Sequence, residues 1–529
     1  MKRKSYDLSN LKGMNTIDSA WNVGLSWAVD ILNGYLKRSM NKQTKIAERG
    51  AFVYVTNGVM DEPMDFGGAI TKIYEWNFHK VVVTENGLWI DAYTETGGSI
   101  ACEVNFNGRF DSYFYGYRLI TDWCFDVLTW GEDLVACTNN ASGRLSKIEK
   151  MVDAELVVTF DVTTPISSDT NLPLARKMLL HNHRVWAYDM GDQLHGSRAD
   201  DIESATAWSE NDDSEEFFFS KMVDYGSSLM FAIPMGSKYI GLVFQEKILV
   251  YNMPVIITDA ELIQSITISC IGEPVQVGGE WIIPGKKGFK SLSASIASQE
   301  LDTNDLSLNI ENLYQELALQ HAICKTYFYE PLNHIYISFV ENLVQDPKST
   351  IFVYSVELKE FVGRWEVPFF INCFGEWNNK LYAGTTDGKL YFYSEERLRD
   401  CSFWVQDDGT GIPFPEDPGI GYTMSFKPGY LGTESREYNK ALRKCSGLIT
   451  SLLGSELLVK YNTEPMSENG FDTGDVEEET IPLVTGVSSN INLDLYGRGK
   501  LIDFEFVSTT GNSIILENLK IETTLEGMI

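Results

Sequence analysis

The sequence predicts an all-β fold: a β-propeller of six or seven loose blades, with an N-terminal helical arm and a C-terminal β-domain. Three observations predict it. Short apolar runs alternate with turn signals through most of the chain. Aromatic residues are abundant beside many glycines, with 25 Tyr, 28 Phe and 43 Gly, a mixture suited to short strands and tight turns. Turn glycines recur at intervals near the length of a four-stranded blade.

Residues 1–50 differ in character from the rest of the chain. Trp21, Leu25, Val29 and Leu32 fall near helical spacing, with Asp18 or Ser19 placed to cap the start, which predicts a short amphipathic helix. The basic, polar stretch from Lys37 to Arg49 reads as an arm reaching a neighbour or as a flexible leader. From 51 to 400 the pattern is strand, turn, strand. Val81–Thr84 runs through Asn86-Gly87 into Leu88–Ile90, a strong hairpin signal. Similar phrases join 134–137 to 145–148, 239–244 to 248–251, and 281–283 to Phe289. They recur from 351–356 to 361–362 and from 381–384 to 390–392. Gly87 and Gly143 lie 56 residues apart, and Gly288 and Gly388 leave space for further units of about 40–55 residues. A stack of β-sandwiches would share much of this pattern. One helix interrupts it: Leu306, Ile310, Leu313 and Leu317 share one helical face behind Asn304 or Asp305 as N-cap, and predict core packing against a sheet. From 401 to 529 the chain opens with a Gly- and Pro-rich loop (Gly409, Gly411, Pro413, Pro415, Pro418, Gly419, Gly421). It then returns to strands, with Ile502, Phe504 and Phe506 on one face and a partner run at Ile514–Leu516, Leu519 and Ile521.

At 529 residues the chain is too long for one ordinary core. A hydrophobic fraction of 44% argues against disorder. The net charge of −31 sets 43 basic against 74 acidic residues, which argues against gripping nucleic acid, since that requires neutralising phosphates. Eight scattered cysteines (Cys102, Cys124, Cys137, Cys270, Cys324, Cys373, Cys401, Cys445) without a C-x-x-C pair predict buried free thiols. The polar start at Met1-Lys2-Arg3-Lys4 predicts no secretory leader, and no apolar run is long enough to predict a membrane span.

No residue constellation predicts catalysis, a cofactor or a metal. His181 and His183, with His195 nearby, would share a strand face at their spacing, but Asp189 and Asp192 are ordinary turn residues and no cysteine is close, so solvated or core-satisfied histidines are expected. The acidic runs Asp212-Asp213-Ser214-Glu215-Glu216 and Asp472, Asp475, Glu477, Glu478, Glu479 read as solvated faces rather than a glycosidase pair. Asp407 and Asp408 lack the remaining calcium-loop positions. Nucleophile-elbow, Walker and dinucleotide motifs are absent. Trp186, Trp208, Trp365 and Trp377 are expected to fill the spaces between blades rather than a sugar-binding surface.

Several phrases resemble the tail nozzle (hub) proteins of short-tailed bacteriophages, the tail tubular B type and the related packaged-DNA stabilisation hubs. They are Arg184-Val185-Trp186-Ala187 followed by Gly196-Ser197-Arg198-Ala199-Asp200 and Ala207-Trp208-Ser209, then Gly285–Leu292. Phe352-Val353-Tyr354 through Gly363-Arg364-Trp365, then Leu381–Tyr391, continues the order, and Tyr496–Phe504 ends it. Arg49-Gly50 departs from the pattern by lacking the Pro that many relatives carry between these residues. The resemblance implies a virion structural protein and not an enzyme. It implies a homohexameric ring in the tail, assembled in the host cytoplasm, below the head-to-tail adaptor and bearing tail fibres or tailspikes. Double-stranded DNA would pass through the lumen without sequence-specific binding, and excess carboxylates there would keep its phosphates from sticking. A propeller glycosidase or a host-surface glycan-binding protein is the alternative.

Overall fold

A computed structural model describes residues 2–528 except 17–25, 39–42, 56–63, 92–113, 115, 141–142, 153–157, 170–171, 190–192, 209–217, 221–227, 253–260, 296–299, 321–323, 342–347, 396–398, 401–419, 432–437, 452–455, 463–475, 484–487, 497, 500–501 and 509–513. Of the expected loop at 407–421, residues 407–419 therefore lie outside the described residues, and Ile420–Gly421 is a short strand paired with Arg399–Asp400.

Among the described residues, seven antiparallel four-stranded blades follow one another along the chain. Their innermost strands are Ile70–Trp76, Cys124–Trp130, Lys177–His181, Leu229–Met235, Val275–Val277, Cys324–Tyr329 and Ile371–Trp377. Each hairpin predicted between residues 81 and 392 forms, with Asn86-Gly87 turning His79–Thr84 into Gly87–Asp91. Many of the turns that join an innermost strand to the next place residues at positive φ, at Asn77, Phe78, Gly131, Asn182, His183, Gly236, Gly278, Gly279, Asn333, Asn378 and Asn379. That geometry suits the right-handed twist of the hairpins.

The ring is stitched at blade boundaries by side chains. Lys72 Nζ meets Asp126 Oδ1 at 2.6 Å, and Met178 N donates to Asp126 Oδ2 at 2.9 Å. Ala232 N donates to Tyr188 Oη at 3.0 Å, and Trp281 Nε1 donates to the Pro234 carbonyl at 2.7 Å. Tyr329 Oη donates to the Asn379 carbonyl at 2.7 Å. The circle closes where Asn372 Nδ2 donates to the Ile70 carbonyl at 2.8 Å. At this seam Gly375 is required, because a Cβ there would lie 2.5 Å from both Ile73 Cβ and the Ile73 carbonyl oxygen. Apolar clusters fill the wedges between blades. The outermost strand of the seventh blade is Ala51–Tyr54, which pairs with Leu390–Ser394, so the beginning of the ring fastens its end and leaves fewer open strand edges.

The remaining strands come from both ends of the chain. Trp27–Leu32 lies beside the outermost strand of the sixth blade, Glu360–Val367. It continues that sheet through Met424–Pro428, Asp503–Ser508, Glu456–Asn462 and Glu477–Pro482 and, with Gly13–Met14 paired beside it, makes ten strands among the described residues. A second, seven-stranded sheet contains Lys2–Asp7, Gly34–Arg38, Thr44–Glu48, Tyr438–Ser451, Ser488–Asp494, Arg498–Gly499 and Ile514–Met528. The two sheets share one apolar core with the fifth to seventh blades. As predicted, Ile502, Phe504 and Phe506 are buried together.

The expected N-terminal helix is corrected. Trp21 and Leu25 fall outside the described residues, and Val29 and Leu32 belong to the extended strand Trp27–Leu32. Pairing with Met424–Pro428, almost 400 residues away, overrides the local spacing. The predicted helix after the fifth blade is present as Glu311–Gln320, with a short 3₁₀ turn at Leu308–Ile310 before it. Asn304 and Asp305 end the preceding strand Glu300–Asp305 rather than cap the helix, although Asp305 Oδ1 accepts from Ser307 N and Oγ. Ile310 and Leu317 are buried, Leu306 and Leu313 pack against the same core, and Tyr314 meets Phe339 edge-on at 5.5 Å.

Candidate functional site

The most densely bonded polar group of the described residues sits where the ring, its closing strand and the terminal sheets meet. Arg49 comes after the strand Thr44–Glu48 and precedes the closing strand Ala51–Tyr54. Its side chain is fully buried, as is that of Asp400. Nη1 and Nη2 reach the two carboxylate oxygens of Asp400 at 2.9 and 2.5 Å. The remaining donors go to Asn33 Oδ1 (3.1 Å), the Gly50 carbonyl (2.8 Å) and the Glu366 carbonyl (2.8 Å). All five guanidinium N–H groups are thereby satisfied, and the Tyr422 ring lies 3.8 Å from the guanidinium carbon. Burial alone would lower the Arg49 pKa, but the adjacent Asp400 carboxylate outweighs it and raises it, so the charge is fixed at any working pH.

The surrounding groups extend the clamp. Asp400 Oδ1 also accepts from Phe52 N at 3.0 Å. Asn33, in left-handed conformation between two N-terminal strands, accepts from Glu366 N at 2.8 Å and donates to the Thr423 carbonyl at 2.9 Å. Gly50 N donates to Tyr393 Oη at 2.7 Å. A Cβ on Gly50 would lie 2.2 Å from the Ser394 carbonyl oxygen, so the closing strand needs glycine here. Trp365 stacks on Tyr393 at 5.4 Å and donates to the Gly34 carbonyl. One buried cation thus ties together the N-terminal strands, the sixth and seventh blades and the segment after residue 420. Such an arrangement holds parts in fixed relation.

A second polar cluster lies on the innermost strands. Asp126 is buried, and although burial alone would raise its pKa, Lys72 and Lys177 lower it. Lys177 reaches Glu273 at 3.6 Å. These side chains fix three successive blades relative to each other and to the loop before the fifth.

The histidines singled out in the sequence are scattered by the fold. His181 ends a strand and is buried, while His183 sits in the next turn at positive φ, exposed and 3.2 Å from Asp200. The two imidazoles therefore do not share a strand face. His195 lies on Gln193–Gly196, opposite Ala187 and Phe218. Asp189 lies just past Arg184–Tyr188, and Asp192 is outside the described residues. Among the described residues no group of three potential metal ligands occurs. Asp212 to Glu216, Asp407, Asp408, Asp472 and Asp475 lie outside the described residues. Glu477, Glu478 and Glu479 lie on the edge strand Glu477–Pro482. Trp186, Trp208 and Trp365 are buried packing residues; Trp377 is half-buried under Lys80 Nζ at 4.4 Å. Six described cysteines are free and buried, and burial pushes the Cys270 thiol up to about 11. No described helix is long and apolar enough to cross a membrane.

The sequence does not mark Arg49, Asp400 and Asn33 as functional. Their only signal is the Arg49-Gly50 step ahead of an apolar run, since Glu366 and Asp400 lie 317 and 351 residues from Arg49.

No family model and no curated protein sequence matches the chain. Among solved structures it is similar to BamB from Moraxella catarrhalis, at 11% identity over 63% of this chain and 97% of that one, with a TM-score of 0.34. It is also similar to the Dos1 propeller, at 10% identity over 71% and 85% of the two chains, with a TM-score of 0.35. A third is an exo-beta-1,3-galactanase from Phanerochaete chrysosporium with beta-1,3-galactotriose, at 10% identity over 75% and 94%, with a TM-score of 0.25.

Proposed function

We propose that the chain is a structural tail nozzle of a short-tailed phage virion, a homohexameric ring below the head-to-tail adaptor that conducts double-stranded DNA during ejection and carries tail fibres or tailspikes. The observation that carries this reading is the Arg49 clamp, which fuses the propeller and the two-sheet terminal unit into one stiff body. A tube wall under load needs that stiffness, whereas a freely hinged appendage would waste it. The described residues of the phrases that resemble nozzle proteins also follow one another through the fold: Arg184–Tyr188 and Gln193–Gly196 within the third blade, 285–292 on the fifth, 352–391 on the sixth and seventh, and Arg498–Gly499 and residues 503–504 in the terminal sheets. The net charge of −31 suits a conduit that must not retain phosphate.

Imaging of the purified protein, alone and bound to an adaptor ring, tests the reading. The expected result is a six-fold ring with an axial opening that admits duplex DNA. Monomeric particles under both conditions, together with hydrolysis of or binding to surface glycans, would replace it with the glycosidase or glycan-binding alternative.

A further inference from the structure

Among the described residues, both sheets of the terminal unit have open strand edges, and two of these edges carry opposite charges. In the seven-stranded sheet, Lys2–Asp7 pairs on one side with Ile514–Met528, from Lys2 opposite Leu525 to Asp7 opposite Lys520. Among the described residues no strand pairs with its outer side. This strand reads Lys-Arg-Lys-Ser-Tyr-Asp, in a chain whose net charge is −31. Its Arg3 and Ser5 are exposed, while Tyr6 is packed into the core.

Across the sheet, Tyr438–Ser451 separates Ile514–Met528 from Ser488–Asp494, the strand at the far flank. Ser488–Asp494 comes directly after Glu477–Pro482 in the chain, and Glu477–Pro482 is the end strand of the ten-stranded sheet. This second edge begins Glu-Glu-Glu, and Glu477, Glu478 and Thr480 are exposed. Lys460 meets Glu478 at 3.5 Å, and Tyr461 Oη donates to Glu477 at 2.5 Å, so the stripe keeps an excess of negative charge. Two large apolar side chains flank it: Val476 is 48% exposed, and Tyr496, whose backbone bonds the Tyr461 hydroxyl, is 69% exposed.

We infer that copies of this chain join head to tail, the basic edge Lys2–Asp7 of one lying along the acidic edge Glu477–Pro482 of the next, with Tyr496 and Val476 as the apolar centre of the contact. An open edge supplies unmet backbone donors and acceptors. Three adjacent glutamates repel a second copy of the same edge, which disfavours a two-fold contact, whereas they attract the basic edge. Because the two edges are different strands, the contact is heterologous and repeats from copy to copy, and a rotation that closes it makes a ring. The inference deepens the nozzle reading and rests on it only for ring closure.

The test uses light scattering and sedimentation of the full chain with charge-reversed variants. One variant carries Lys2→Glu and Arg3→Glu; the other carries Glu477→Lys and Glu478→Lys. The expected result is that the unaltered chain associates and weakens at least about tenfold on raising salt. Each variant alone fails to associate, and mixing the two restores assembly, because every junction then joins opposite charges. Circular dichroism confirms that both variants are folded. Variants that assemble like the unaltered chain would overturn the edge contact and leave the ring reading standing. An unaltered chain that stays monomeric at low salt would also overturn it, while adaptor-bound imaging still decides the nozzle reading.

Discussion

Arg49 and Asp400, 351 residues apart in sequence, form a fully buried two-pronged ion pair, and the remaining guanidinium donors go to Asn33 and to the Gly50 and Glu366 carbonyls. Removing one partner leaves an uncompensated buried charge. Arg49→Ala and Asp400→Ala should each cost about 3–5 kcal/mol. Arg49→Lys should also destabilise, since an ammonium cannot span the fork. Denaturant titration monitored by fluorescence checks this, and a loss below about 1 kcal/mol for both alanine variants would contradict the clamp.

The contact between the sixth blade and the terminal strands runs through Gly363. A Cβ there would lie 2.1 Å from the Gly34 carbonyl oxygen, a backbone atom that cannot swing aside. Gly363→Ala should therefore cost at least about 1–3 kcal/mol and loosen the terminal sheets before the ring. Limited proteolysis should cut the variant first within the terminal strands. Cleavage patterns matching those of the unaltered protein would count against a tight seam.

The seam also shows how far the sequence could be read. Hairpins such as His79–Thr84 with Gly87–Asp91 were legible because both strands and the turn residues are adjacent, so local alternation and Asn86-Gly87 suffice. The burial of Trp186, Trp208 and Trp365 was legible from their setting in strand-rich phrases. The strands at Lys2–Asp7 and Trp27–Leu32 were not, because their partners lie near residues 520–525 and 425–428. No local period carries such pairings. The same holds for Arg49, whose role depends on Asn33, Glu366 and Asp400 converging only after the ring has closed. His181 and His183 show the reverse case: strand spacing does not extend across the turn that positive φ at Asn182 and His183 creates.

Trp365 is buried without residual exposure and stacks on Tyr393 while donating to the Gly34 carbonyl. Trp365→Ala should cost about 3–5 kcal/mol, whereas a sugar-platform role would leave stability nearly unchanged and abolish glycan binding. Thermal unfolding of the variant beside a glycan-binding assay separates the two.

His334 gives the protein an acid sensitivity of predictable sign. Its ring is buried between Tyr35, at 5.5 Å, and Tyr336, at 6.1 Å. Burial, helped by the charge of Lys37, lowers its pKa to about 4. Above pH 6.5 the ring is neutral in both folded and unfolded chains and contributes no pH dependence. Between pH 6.5 and about 4 the unfolded chain takes up a proton that the folded chain refuses, so stability falls as pH falls. The loss over that window should approach about 3 kcal/mol. His79 and His181 are lowered in the same direction by burial, so the comparison must be differential. His334→Phe should remove only the His334 share of the slope: between about pH 7 and about pH 4.5, stability should fall less for the variant than for the unaltered chain. Equal slopes for the two proteins would mean that the ring is hydrated enough to charge in place.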